Sequence, residues 1–118
     1  MPDVKQDAIE VLQSYEQQFT TILEVIGESP RLTGEAKEKA QQLLQKLKDN
    51  LESDCKEYHR QRDRLDQYKK AFVEPALREA MAELRVKVNS VPGSEWHSNL
   101  YSARVNVTHM LHELEEAS

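Results

Sequence analysis

The sequence predicts an all-α fold, and three observations carry that expectation. Gly, Pro and β-branched clusters are scarce, with 3 Gly and 4 Pro in 118 residues, so the punctuation of a sheet protein is missing. Long stretches are rich in Ala, Leu, Glu, Lys, Gln and Arg, the strong helix formers. Apolar residues recur with alternating steps of four and three, which keeps them on one face of a helix. The length suggests a single domain, residues 1–118.

The first helix is expected over about 3–27. Asp3 with Gln6 three residues later has the spacing of a capping box. The apolar seam then runs Ala8, Leu12, Tyr15, Phe19, Ile22, Ile26. Ile9, Val11, Leu23 and Val25 flank it, a width that suits more than one neighbour. Gly27, followed by Ser29 and Pro30, ends it.

The second helix is expected over about 33–89. Thr33 can cap it, and Glu35 in its first turn is favoured by the helix dipole. Its seam is Ala36, Ala40, Leu43, Leu44, Leu47, Leu51, Cys55 and Tyr58. The seam lapses at "HRQRDR", His59 to Arg64, and resumes at Leu65, Tyr68, Phe72, Leu77, Met81, Leu84 and Val88. Pro75 lies inside this run. Proline removes one helical hydrogen bond and crowds an earlier carbonyl. Neither a glycine before it nor a good N-cap marks a stop there, so a kink is expected rather than a turn. "NSVPGS" then breaks the chain, and Ser94 can cap a last helix over about 94–117. That helix carries Trp96, Leu100, Ala103, Val107, Met110 and Leu114.

Folding the two outer helices onto the ends of the long one leaves about 58–65 uncovered, where the seam is polar. The expected architecture is therefore a long kinked central helix flanked by two antiparallel helices. Each half would be a two-helix hairpin, which cannot enclose a core, so a second copy would complete a four-helix, coiled-coil-like bundle as a homodimer. The alternative is a compact monomeric four-helix bundle that breaks at Pro75.

A net charge of -5 speaks against nucleic acid as a partner, which calls for a basic footprint. No apolar run reaches the ~18 residues that a membrane span needs. The N-terminal segment has no apolar core of a signal peptide. One cysteine, Cys55, cannot form an internal disulfide and fits a reducing, cytoplasmic setting. "NVT" at Asn106 is a glycosylation sequon only in a secreted chain.

Candidate chemistry is sparse. Cys55 and His59 stand four apart on one helical face, as a metal pair would, and His109 and His112 form a second candidate pair, with Glu113 beside them. The bland reading makes Cys55 a small core residue and the histidines boundary groups. No paired carboxylates, phosphate loop or nucleophile–base constellation stands out, so neither an enzyme nor a cofactor is expected. From Lys56 to Lys70 there are six Lys/Arg against three Asp/Glu, whereas residues 1–28 are net -5. Arg60, Arg62, Arg64, Lys69 and Lys70 are thus candidates for docking an acidic protein partner or a phosphate-bearing surface. The competing reading is a solvated face with local pairs such as Arg60 with Asp63 and Arg62 with Asp66. Trp96 is a core anchor or, if exposed, a contact residue.

"SYEQQF" at 14–19 and "PRL" at 30–32 resemble the start of the N-terminal three-helix domain of Vti-type SNARE proteins, over about a quarter of the chain. The long second helix departs from that domain, and no SNARE motif follows. The last helix, "SARVNVTHMLHELEEA", is similar to the final helix of BAG cochaperone domains, without the Arg and Gln with which they grip their chaperone. The function expected from the residues is a non-enzymatic helical interaction module: an adaptor, assembly factor or complex subunit. The alternative is a small regulatory bundle that binds a ligand or metal between its helices.

Overall fold

A computed structural model describes residues 3–27 and 31–117. Ser29 and Pro30, expected to end the first helix, lie outside the described residues. The chain is all-helical. Its helices are α1 (Val4–Ile26), α2 (Gly34–Arg60), α3 (Glu74–Glu83) and α4 (Ser94–Glu116), with a π-helical turn, Lys69–Val73, leading into α3. They form an up-down-up-down bundle measuring 48 × 27 × 22 Å. Around the bundle the order is α1, α2, α3, α4, and α4 returns against α1.

The expected single helix over 33–89 is two helices. The division falls at Gln61–Asp66, not at Pro75. Leu51, Leu47, Leu44 and Ala40 of α2 face inward, and so do Val73, Ala76, Leu77 and Ala80 of the returning helix. The polar run "HRQRDR" ends α2 at Arg60 and opens the helix–helix connection. It looked like bare helix because it carries no glycine, and none is needed: no non-glycine residue among those described takes a positive φ. Gln61 N–H bonds back to Glu57 O, Arg64 N–H bonds to Gln61 O at 2.7 Å, and Asp66 caps the next helix. The Asp66 carboxylate accepts from the N–H groups of Tyr68 and Lys69, each at 3.0 Å.

Pro75 sits within the helical stretch 67–83, just after the π-helical turn. In that turn Glu74 N–H reaches Lys69 O, five residues back, and the wider turn makes room where the proline supplies no donor. The extra residue also advances the buried face by one position. Val73 is fully buried and Phe72 only half so, while Met81, expected in the seam, is exposed.

The helix stops at Glu83 rather than near Asn89. From Leu84 the chain leaves the helix through short turns, with Arg85 N–H bonded to Glu83 O and Ser90 N–H to Lys87 O. Leu84, Val86 and Val88 turn inward and Arg85 and Lys87 outward, the period of two of an extended strand. This connection crosses the end of the bundle. Lys48 Nζ donates to Val86 O, and Leu32 N–H donates to Pro92 O at 2.9 Å. An isolated antiparallel bridge joins Arg31 and Gly93.

The caps follow the sequence only in part. Asp3 accepts from Gln6 N–H at 3.1 Å. Gly27, at φ 58°, closes α1 by donating to Leu23 O, a conformation that favours glycine. Thr33 stands before α2 without a side-chain capping bond, and Gly93 rather than Ser94 holds the N-cap position of α4.

Closure between α1 and α4 is what the alternative, a compact four-helix bundle, calls for, although the break falls at Gln61–Asp66 and not at Pro75. Thr108 donates to Glu16 at 2.5 Å, and Lys5 Nζ donates to Ala117 O at 2.6 Å. The lysine offsets a last turn of α4 that carries Glu113, Glu115 and Glu116 and no base. With four helices around one core, the enclosure argument for a second copy no longer applies.

Candidate interaction surfaces

The six residues singled out from the sequence do not form one patch. Trp96 is 1% exposed, and its indole N–H donates to Ser90 Oγ at 2.9 Å. It anchors the end of the bundle where the 84–93 connection crosses, the opposite end from Gln61–Asp66. It therefore leaves the contact set. Its position at the start of α4, on the inner seam, is the reason.

The five cations gather at the other end and divide by role. Arg60 is held by Glu57, with Nη2 2.7 Å from Oε1, and Gln61 reaches the same carboxylate. The expected pairs of Arg60 with Asp63 and Arg62 with Asp66 do not form. Asp66 turns to the backbone of the next helix instead. Arg62 and Arg64 are exposed, and among the described residues their side chains have no ion pair or hydrogen bond. Lys70 is exposed beside them, one turn into the next helix. Lys69 points elsewhere, into a groove between α1 and α2. The side chains that remain available are thus Arg62 and Arg64, on a short connection whose ends are fixed by backbone bonds and the Asp66 cap, and Lys70 on the helix that follows.

The metal candidates separate. Cys55 and His59, with Tyr58, Glu74, Leu77 and Arg78, line a recess of about 150 Å³ between α2 and α3. His109 lies on α4, exposed, 3.4 Å from Glu113. Since α2 and α4 occupy opposite corners, the two pairs do not meet. Among the described residues no three of His, Cys, Asp and Glu come together as a metal site would require. Burial raises the Cys55 thiol above its usual range, helped by the Asp54 and Glu74 carboxylates and opposed by Arg78. The thiol is therefore held in its protonated, less reactive form at neutral pH.

The core offers no polar handle. Among the described residues every buried residue is apolar, and no buried side-chain donor or acceptor lacks a partner. Tyr15 is the nearest exception: its hydroxyl donates to Asp54 at the bundle's edge. Burial raises the Tyr15 phenol strongly, with the Asp54 hydrogen bond adding to it. Tyr58 is pushed up to about 12, by burial first and then by Asp54 and Asp66.

The sequence missed the outer face of α4. His97 stacks on Tyr101 with ring centroids 6.0 Å apart, and the Arg104 guanidinium lies 5.2 Å from the Tyr101 ring centre. Tyr101 and Val105 are nearly half exposed. The spacing 97, 101, 105 is legible, but without knowing which neighbours α4 has, that face could not be told from a buried one. Asn106 of the sequon stands mid-helix, beside the fully buried Val107.

No helix among the described residues is long and apolar enough to cross a membrane. No protein-family model, curated protein or solved structure matches the chain.

Proposed function

We propose that the chain is a non-enzymatic helical interaction module, an adaptor, assembly factor or complex subunit, that docks an acidic protein surface on its α2–α3 turn. The observation that carries this reading is the pair Arg62 and Arg64, exposed and without side-chain partners on a connection fixed at both ends. Elsewhere Arg60, Lys56 and Arg78 are matched by a carboxylate one helical turn away. Arginine without a local partner, on an ordered support, is suited to bidentate carboxylate recognition at little ordering cost. An apolar interior without a polar handle weighs against the alternative of a ligand held between the helices. The reading assigns the module to the cytoplasm, where its lone thiol stays reduced.

A second copy is the other occupant this end suits. Glu113, Glu115 and Glu116 of α4 lie at the same end as the basic turn. Two copies meeting end to end would set each basic turn against the other's acidic helix end, a homodimer that depends on charge.

The test compares the wild-type chain with a variant carrying Arg60→Glu, Arg62→Glu and Arg64→Glu. Helical content and stability should be preserved, because these side chains cover no core. A partner retained by the wild type from its native source, and lost by the variant, supports the reading. The same set retained by both refutes it. Sedimentation at low salt identifies the homodimer: its mass should double for the wild type alone.

A further inference from the structure

We propose that the groove between α1 and α2 is a second binding surface, which takes an extended peptide segment carrying a basic residue at one end. It stands on residues other than the basic turn, so the two proposals can fail separately.

The sequence holds a second seam on α1. Asp7, Glu10, Ser14, Gln17 and Thr21 follow the same alternation of three and four as the apolar seam, yet every member is polar. The structure sets this seam along one side of a furrow between α1 and α2, which the Asn50–Gln18 hydrogen bond crosses. The furrow has two lobes, of about 540 Å³ and 300 Å³. They meet at Gln18 and Asn50, which line both and are joined by Asn50 Nδ2 donating to Gln18 Oε1 at 3.1 Å. Its floor is apolar, with Val11 in the first lobe and Ile22 and Leu43 in the second.

This lining has the chemistry of a peptide backbone's counterpart. A primary amide presents a donor and an acceptor on one planar group, and so matches a peptide N–H and C=O. The bond to Gln18 uses one Asn50 donor and leaves the Asn50 carbonyl open. Gln17 and Gln18 otherwise make only long bonds within their own helix, at 3.4 Å to Thr21 and 3.3 Å to Ser14, which an incoming backbone can replace. Asp7 to Thr21 spans about 21 Å of helix at 1.5 Å per residue. An extended chain covers that in about six residues, with alternate side chains turned to the floor.

Charge fixes the orientation and the chemistry of the occupant. The first lobe holds Asp7, Glu10 and Asp54 against the single base Lys69. Asp54 is kept in place by the Tyr15 hydroxyl, which occupies one of its oxygens. The second lobe has one charged residue, Lys46. An arginine or lysine side chain therefore belongs at the Asp7–Asp54 end, and uncharged residues at the other.

The probe is a labelled six-residue peptide, Arg-Ser-Val-Ser-Val-Ser, titrated into the full chain and followed by amide NMR shifts. Saturable shifts should map to residues 7–21 and 43–54. Asn50→Ala and Glu10→Lys should each weaken binding roughly tenfold, the loss expected for one good polar contact. The same peptide with Glu for Arg, or with N-methylated backbone, should bind no better than those variants do. Arg62→Glu with Arg64→Glu should leave the titration unchanged. Absence of saturable shifts, shifts centred on residues 61–66, or equal affinity for the Arg and Glu peptides would each overturn the proposal.

Discussion

Replacing Trp96 with alanine should cost about 4 kcal/mol, and the parts of that cost can be separated. The indole is 1% exposed and is among the largest fully buried side chains. Deleting a buried aromatic ring typically costs about 3–5 kcal/mol, through lost transfer energy and the cavity left behind. One polar contact is also lost, the 2.9 Å bond from the indole N–H to Ser90 Oγ, which is worth about 0.5–1.5 kcal/mol. Trp96→Phe keeps most of the apolar volume and should cost about 1–2 kcal/mol. Ser90→Ala isolates the hydrogen bond and should cost about 1 kcal/mol. With a urea m value of about 1–3 kcal/mol/M, the alanine variant's midpoint should fall by roughly 2 M when followed by far-UV circular dichroism. Trp96 is the only tryptophan, so the native emission of the wild type reports its burial directly. It should be blue-shifted and should move red on unfolding. An alanine variant within about 0.5 kcal/mol of wild type, the range of surface substitutions, would refute the reasoning and return Trp96 to the contact set.

Asp66→Ala removes the cap of the returning helix and should cost about 1 kcal/mol, read as a lowered thermal midpoint; no change would mean that the connection is not held there. Pro75→Ala should change stability by less than about 1 kcal/mol, because the π-helical turn already makes room for the missing donor. A gain near the ~3 kcal/mol of an interior proline would show that the ring strains the helix. Deprotonation of Tyr15 and Tyr58 should lower stability above about pH 10. The phenols of Tyr15 and Tyr58 bind their protons more tightly when folded, so their contribution is complete below the unfolded tyrosine value and is lost as pH rises through the folded one, about 12 for Tyr58. Tyr15→Phe should blunt that fall in a urea titration series, and an unchanged pH profile would count against the Tyr15–Asp54 contact.

The helical class and most of the core were legible because a seam at helical spacing is a local signal. Ala8 to Ile26, Ala40 to Leu51 and Trp96 to Leu114 are buried largely as the spacing indicates. The connection at Gln61–Asp66 was misread because a polar run has two physical meanings. It is either helix that nothing covers or a link between helices, and only tertiary packing decides. Asp66 three residues before Lys69 was the available local clue, since a short acidic side chain before a helical run is a strong cap. The phase error at Val73 and Met81 has another origin. A π-helical turn inserts one residue, and a fixed period of 3.6 cannot follow it. The end at Glu83 could have been read, since Leu84, Val86 and Val88 alternate as extended chain does. At the basic turn the residue types were visible. Which arginine would be taken by Glu57 and which left free was not, because that depends on where α2 ends.

Everything placed at the basic turn depends on the chain folding back there as a single copy, and small-angle scattering with in-line mass measurement at physiological salt tests that directly. The bundle predicts a 13.7 kDa particle with a radius of gyration near 15.0 Å and a longest dimension near 48 Å. An unbroken helix over 33–89 would be about 85 Å long at 1.5 Å per residue. A particle of that length, whatever its mass, would contradict the account.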